Sequence, residues 1–99
     1  MKNSKNFDIG DFSRIQIQAS YVELKRDDPE NVNDPHVHPE CEIYINLSGD
    51  VSFMVDNNLY KLNNGDIVIS RPNQMHNCIL NSNSVHSHLC FWFDLSQDR

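Results

Sequence analysis

The sequence predicts an all-β domain, a sandwich or small barrel of short strands, and three observations support this prediction. Apolar and polar residues alternate with a period of two along most of the chain, most clearly from Arg14 to Leu24. Segments rich in Asn, together with two glycines at chain reversals, recur at short intervals, as expected for hairpin turns. Stretches with the 3.6-residue period of a helix are few. A length of 99 residues allows one domain.

The predicted strands follow one another with short turns between them. The first is followed by a long loop from Asp27 to Pro35, which contains two prolines and several Asp and Asn residues. The later turns contain Gly49, Gly65 or runs of Asn and Ser, all residues that favour chain reversal. The predicted strands cover residues 14–24, 42–47, 51–55, 59–62, 66–70, 75–80 and 85–94.

Composition excludes several classes of function. The net charge of −6 and the pI near 5.1 argue against nucleic-acid binding by this domain itself. No apolar stretch approaches the roughly 20 residues that a membrane-spanning helix needs, and the first residues contain no apolar run typical of a secretory signal. We therefore expect a cytoplasmic protein without a membrane partner. The three cysteines, with no C-x-x-C pair, predict neither a disulfide framework nor a cysteine-type zinc site.

Three histidines and one glutamate form a candidate ligand set for a transition metal. His36, His38 and Glu42 have the same parity, so an unbroken strand would direct all three side chains to one face. His76 lies on a different predicted strand and would join them by tertiary folding. Such a set suits iron, manganese or nickel, and zinc with fewer ligands. The same four side chains could instead bond directly to an organic ligand without metal.

The spacing of these residues resembles the cupin family. The first motif reads His36-x-His38-x-x-x-Glu42, followed by six residues and Gly49. The second reads Gly65-Asp66 and continues to His76. The resemblance implies a double-stranded β-helix, a small barrel of the jelly-roll kind, with the four side chains inside it. The chain departs from the enzyme-type pattern, for example with Leu80 where an asparagine is usual, and this weakens the case for a metalloenzyme.

Within that family, residues 36 to 94 resemble the sensor domains of AraC-type transcription regulators. The resemblance implies an effector-sensing and dimerisation domain that binds a small polar effector such as a sugar. It implies a flexible N-terminal arm over residues 1–11, a sensor domain over residues 12–99, and a separate C-terminal helix-turn-helix part through which alone DNA is bound. The chain is then expected to be a fragment of a longer regulator. The shared features are Glu42-Ile43, Ser48-Gly49, Tyr60-x-Leu62-x-x-Gly65-Asp66, and Pro72 followed by His76.

Further candidate ligand-binding residues follow from strand parity. Tyr44 and Asn46 share the parity of Glu42 and should face the barrel interior with it. There they would contact a polar ligand or fill the core. On the last strand the row of Leu89, Phe91 and Phe93 is predicted to be the packing face. The opposite row, His86, His88, Cys90 and Trp92, would line the lumen or the outer surface, so that Trp92 either stacks on a sugar or, as we prefer, is covered by dimerisation helices.

Two other functions stay open at this point. A small metal-dependent cupin enzyme, an isomerase or dioxygenase, would use His36, His38, Glu42 and His76 as metal ligands and would need an acid or base nearby, for which only Tyr44 and Glu40 are available. A stand-alone sugar-binding cupin is the third possibility. Because neither acid–base candidate is compelling, the sequence predicts no catalytic residue and no enzymatic activity.

Overall fold

The structure is a computed structural model that describes residues 2–12, 15–29 and 37–94. Every regular element in this part of the chain is a β-strand, which confirms the all-β prediction. No helix here is long and apolar enough to cross a membrane. The strands are β1 (Lys2–Phe12), β2 (Ile15–Leu24), β3 (Cys41–Ser48), β4 (Val51–Val55), β5 (Asn58–Leu62), β6 (Ile67–Ser70), β7 (His76–Leu80) and β8 (His86–Asp94).

The predicted strands agree with β2 to β8 to within one residue at either end. Strand β1 was not predicted from the sequence, and it occupies most of the predicted arm, residues 1–11. This strand pairs with β2 antiparallel from Lys2 to Phe12, with a register irregularity between Asp8 and Gly10. The boundary proposed at residue 12 therefore falls at the end of a strand, and the mobility of the segment stays a prediction.

The strands form two antiparallel sheets that pack face to face. One has the order β1-β2-β8-β3-β6 and the other has the order β5-β4-β7. Side chains from both sheets meet in one core, in which the ring of Tyr44 lies 4.7 Å from the ring of Phe53. The buried members of the core are Leu24, Tyr44, Val51, Phe53, Leu62, Leu80 and Cys90.

The turn between β3 and β4 requires a glycine. Gly49 has a φ of +108°, in the region that L side chains rarely adopt. A Cβ atom at this position would lie 2.9 Å from the Cα of His86. The turn between β3 and β4 therefore packs directly against His86, the first residue of β8.

The prediction that Leu89, Phe91 and Phe93 form the packing face of β8 was wrong. The opposite row lies on the interior side, one of the two positions that the sequence left open. His86 and Cys90 are buried, and Trp92 packs against the core. The row of Leu89 and Phe91 lies on the opposite, outer face of the sheet, because alternate residues of a strand face opposite sides. Trp92 packs against residues of this chain, and its covering by dimerisation helices stays a prediction. Polar side chains that bond to one another can occupy an interior face, so hydrophobicity alone identified the wrong row.

Candidate metal and ligand site

Three of the four predicted metal ligands lie together at one end of the barrel interior. The Nε2 atom of His38 is 3.1 Å from Oε1 of Glu42, and Nε2 of His76 is 3.4 Å from the same oxygen. The ligand atoms of all three side chains lie within 4.8 Å of one another. We call these residues the His38–Glu42–His76 cluster. His36, the fourth predicted ligand, lies outside the described residues.

Different elements position the three side chains. Glu42 is the second residue of β3 and points inward, with 5% of its surface exposed. His76 begins β7 in the opposite sheet. His38 lies in the segment before β3, where its carbonyl oxygen accepts a hydrogen bond of 2.8 Å from the backbone N–H of Asn73. This bond ties the segment before β3 to the turn before β7, so the cluster depends on both sheets.

Backbone carbonyls fix the tautomer of both histidines. Nδ1 of His38 lies 3.0 Å from the carbonyl oxygen of Glu40, and Nδ1 of His76 lies 2.8 Å from that of Gln74. A carbonyl only accepts, so each Nδ1 carries the proton and donates. Each Nε2 then directs a lone pair at the carboxylate of Glu42, unless it is also protonated. This convergence of electron pairs is favourable only with a proton or a cation between them.

The distances from Glu42 to the two histidines suit a divalent transition metal. Two ligands bound at about 2.1 Å from one ion, at angles between a right angle and a tetrahedral one, are roughly 3.0 to 3.4 Å apart. The distances from Glu42 to the two histidines match this range. Ser70 lies directly opposite Glu42 on β6, and its buried hydroxyl oxygen has no hydrogen-bond partner among the described residues.

The carboxylate of Glu42 and the imidazole of His76 each shift the pKa of the other. Burial raises the pKa of Glu42, but hydrogen bonds from His76, Trp92 and His38 outweigh it, so the pKa lies below its ordinary value. Burial lowers the pKa of His76, but bonding to Glu42 and to the Gln74 carbonyl outweighs it, and this pKa is raised. Without metal, Glu42 and His76 therefore each favour the charged form of the other.

A cavity of about 580 Å³ adjoins the cluster. Trp92, directly opposite Glu42 in the register of β8 and β3, lines the cavity and donates its indole N–H to Oε1 of Glu42 over 2.8 Å. The cavity therefore reaches the cluster through the side chains of His38 and Trp92. Its described lining residues are Asn6, Phe7, Gln18, Ala19, His38, Glu40 and Trp92.

Tyr44 and Asn46 face the interior, as predicted, but they lie deeper than the cavity. They are 2% and 0% exposed, and neither is among the residues that line it. The Tyr44 hydroxyl lies 3.0 Å from Nε2 of His86 and 3.2 Å from Sγ of Cys78. Asn46 donates its amide N–H to the carbonyl oxygen of Asn63 over 3.2 Å. Both side chains bond to the protein here, and their contact with a ligand stays a prediction.

A second histidine pair forms a buried hydrogen-bonded network with Tyr44. Nδ1 of His86 lies 2.9 Å from the carbonyl oxygen of Ser48, and its Nε2 lies 2.7 Å from Nδ1 of His88. Burial lowers the pKa of His86, although the Ser48 carbonyl opposes this effect. Burial also raises the pKa of Cys78 to about 11 and that of Tyr44 far above its usual range. A neutral His86 therefore donates to Ser48 and accepts from Tyr44 or His88. The facing of His86 and His88 could not be assigned from the sequence.

Comparisons with known proteins agree with these observations. A family model described as the AraC-like ligand binding domain matches residues 20–97. A cupin protein from Bacteroides fragilis is 25% identical, with a TM-score of 0.66 over 79% of this chain and 65% of that one. A protein from Photorhabdus luminescens is 17% identical, with a TM-score of 0.73 over 95% of this chain and 76% of that one. A protein from Thermotoga maritima, described as a predicted oxalate decarboxylase, is 16% identical, with a TM-score of 0.66 over 82% of this chain and 81% of that one.

These findings confirm the cupin barrel and the family that the motifs indicate. A sequence search of curated proteins gives no significant match. The chain spans only 65% of the length of the Bacteroides protein. The structural likenesses at 16% and 17% identity support the fold alone. The family match covers more than half of the sequence and includes the cavity residue Trp92 and all of the cluster. The chain belongs to the AraC-like ligand binding domain family.

Proposed function

We propose that this chain is the effector-sensing domain of an AraC-type transcription regulator that acts in the cytoplasm. The observation that carries the proposal is the cavity beside the His38–Glu42–His76 cluster, in a chain whose family is defined by ligand binding. A cavity of about 580 Å³ is within the range of small-molecule sites. The ligand is a small polar molecule.

The lining of the cavity favours a carbohydrate. Trp92 and Phe7 offer aromatic surface on which a sugar ring can stack. Asn6 and Gln18 can both donate and accept hydrogen bonds, and Glu40 adds an acceptor, so together they suit hydroxyl groups. The described lining residues include no Lys or Arg, the usual partners of a phosphate or carboxylate.

The cluster is proposed to hold a divalent transition metal, either iron, manganese, nickel or zinc. His38 and His76 would bind it through Nε2, and Glu42 through its carboxylate. The ion would supply a Lewis acid that polarises an oxygen atom of a bound molecule. The backbone carbonyls of Glu40 and Gln74 keep both imidazoles in the required tautomer.

Signalling in this proposal is a shift between two arrangements of the domain and needs no chemical reaction. A ligand that binds one arrangement more tightly shifts the population toward it, and a homodimer would transmit the shift to a DNA-binding part. What supports dimerisation is the outer face of the five-stranded sheet. Ile67 and Ile69 on that face are 58% and 61% exposed, beside Ile43 and Ile45 of β3.

A metal-dependent enzyme is the alternative, supported by the cluster and by the fold shared with the Thermotoga maritima protein. The two acid–base candidates argue against it. Tyr44 bonds to His86 and Cys78, and burial keeps its phenol protonated. Glu40 lies at the cavity, but it would have to act without Tyr44 as its acid–base partner. The sensor proposal needs neither.

A thermal-shift screen tests the sensor function. Pentoses, hexoses and small organic acids are added to the wild-type protein, to Gln18→Ala in the cavity, and to the matched control Tyr60→Ala. Gln18 and Tyr60 are both exposed, so both variants should fold. We expect a sugar at about 100 times its Kd to stabilise the wild type and Tyr60→Ala by about 2.7 kcal/mol, and Gln18→Ala by less. A screen without a stabilising compound, or equal stabilisation of Gln18→Ala, contradicts the proposal.

A further inference from the structure

Trp92 is the side chain that joins the cavity to the His38–Glu42–His76 cluster. Its ring lines the cavity, and its Nε1–H donates to Oε1 of Glu42 over 2.8 Å. The same oxygen lies 3.1 Å from His38 and 3.4 Å from His76. One carboxylate oxygen is therefore shared by both imidazoles and by the indole.

The strand register explains why these two side chains meet. Trp92 lies directly opposite Glu42 on β8 and β3, which are neighbours in the middle of the five-stranded sheet. Directly opposed residues of an antiparallel pair have their Cβ atoms roughly 5 Å apart on the same face. The contact is therefore set by the backbone and does not depend on a loop.

The indole bond becomes more important when a cation occupies the cluster. In its absence, Glu42 receives hydrogen bonds from His76, Trp92 and His38. Once both Nε2 atoms bind a metal, they no longer donate to the carboxylate. Of these three donors only Trp92 can still hold the oxygen, because its N–H donates and cannot bind metal. A carboxylate that is 5% exposed needs such a partner to keep one orientation.

We propose that Trp92 is a positioning residue, whose indole N–H fixes the Glu42 carboxylate for metal binding while its ring forms a wall of the ligand cavity. This inference rests on the metal proposed for the cluster. It assigns two separable roles to one side chain. The N–H controls metal affinity, whereas the ring face contacts the small molecule. Trp92→Phe keeps an aromatic ring and removes the donor.

Zn²⁺ titration of the metal-free chain by calorimetry tests the role of the N–H. Wild type, Trp92→Phe and Phe91→Leu are compared, the last because Phe91 lies on the opposite face of the same strand. Loss of a hydrogen bond to a metal ligand lowers affinity by about 10- to 100-fold. We expect this loss in Trp92→Phe and wild-type affinity in Phe91→Leu, with circular dichroism unchanged in both.

The possible results distinguish a failure of this inference from a failure of the proposed metal site. Unchanged Zn²⁺ affinity in Trp92→Phe overturns the role of Trp92 and leaves the metal site standing. A wild-type protein that does not bind Zn²⁺ overturns both. An equal loss of affinity in Phe91→Leu also overturns the inference, because it would show that any change to this strand has the same effect.

A measurement on the unaltered protein covers the case in which Trp92→Phe does not fold. The chain contains one tryptophan, so its indole N–H gives one resonance that needs no assignment by mutation. We expect added Zn²⁺ to shift this resonance or to replace it with a new one, with the change complete at one equivalent. An indole resonance that does not respond to bound Zn²⁺ contradicts the inference.

Discussion

The two faces of the five-stranded sheet differ in a way that reverses the usual arrangement. The interior face carries Glu42, Tyr44 and Asn46 on β3 and a row of His, Cys and Trp on β8. The outer face carries isoleucines on β3 and β6, and Leu89 and Phe91 on β8. Antiparallel sheets in small domains commonly bury the apolar face and expose the polar one. Under the proposed function, the interior face serves binding as well as stability.

Several polar groups of the interior face are stabilised by hydrogen bonds to one another. His86 is 1% exposed, yet both of its nitrogens have partners, the Ser48 carbonyl and the pair of Tyr44 and His88. A buried polar group costs little when its hydrogen bonds are made and much when one partner is removed. Substitutions on the two faces should therefore have very different effects.

The largest expected difference is between His86→Ala and Ile69→Ala. Removing the imidazole leaves a cavity and deprives Ser48 and Tyr44 of a partner, so we expect a loss of about 3 kcal/mol in the free energy of unfolding. Ile69 is 61% exposed, and its truncation should cost no more than about 0.5 kcal/mol. Urea denaturation of both variants checks this. Equal losses would mean that the polar interior contributes no more than the apolar exterior.

A smaller effect is expected where the β3–β4 turn crosses the interior histidine. Gly49→Ala places a Cβ 2.9 Å from the Cα of His86 and forces a φ of +108° on an L residue. We expect a loss of about 1 to 3 kcal/mol. Gly65→Ala is the matched control, because Gly65 also has a positive φ, of 89°, but a Cβ there would meet nothing within 4 Å. A larger loss in Gly65→Ala would contradict the close approach of turn and strand.

The two buried histidines, His86 and His76, should affect the stability of the fold in opposite directions as the pH changes. The pKa of His86 is lowered in the folded chain, so the stability it contributes is present above its ordinary pKa of 6.5 and is lost as the pH falls below that value. The pKa of His76 is raised, so its contribution is full below 6.5 and is lost as the pH rises through the folded pKa. Each contributes at most about 1.4 kcal/mol per pH unit.

Urea titrations of metal-free protein at several pH values should therefore show opposite changes in two variants. Relative to wild type, His86→Asn should lose less stability on acidification, and His76→Asn should lose more. The lowered pKa of Glu42 adds a separate loss only at lower pH, since its contribution is present above 4.5 and falls away through its folded pKa. Changes of the same sign in both variants would contradict the assigned charge states.

On the outer face we expect the smallest effect on stability and a clear effect on the association of two copies of the chain. Ile67→Lys changes a side chain that is 58% exposed, so the free energy of unfolding should move by no more than about 0.5 kcal/mol. If two copies pack through this face, sedimentation should show a dimer for wild type and a monomer for the variant. A wild-type monomer, or an undisturbed dimer in the variant, would remove this face from the dimer proposal.

Most of the fold follows from local sequence patterns. The period-two alternation of β3 predicted that Glu42, Tyr44 and Asn46 share one interior face, and all three are buried. Strand β1 was missed because its sequence is polar and its pairing with β2 is a tertiary contact. The packing face of β8 was assigned to the wrong row, Leu89, Phe91 and Phe93, because alternation shows that two rows differ but not which row packs in the core.

The candidate site was only partly predictable, for a related reason. Spacing identified His38, Glu42 and His76, because ligands on separate strands leave a recognisable pattern along the chain. The bond from Trp92 to Glu42 depends on the register between β8 and β3, and the His86–Tyr44 bond depends on the packing of one side chain against another. Neither register nor packing is encoded at a fixed spacing.

Elemental analysis tests most directly the claim that the polar interior is built around a binding site at the His38–Glu42–His76 cluster. The protein is purified without a histidine tag or chelator, beside His76→Ala and the control His88→Ala from the other histidine pair. We predict close to one equivalent of iron, manganese, nickel or zinc in wild type and in His88→Ala, and none in a folded His76→Ala. Wild-type protein without metal, or a folded His76→Ala that retains it, would contradict the account.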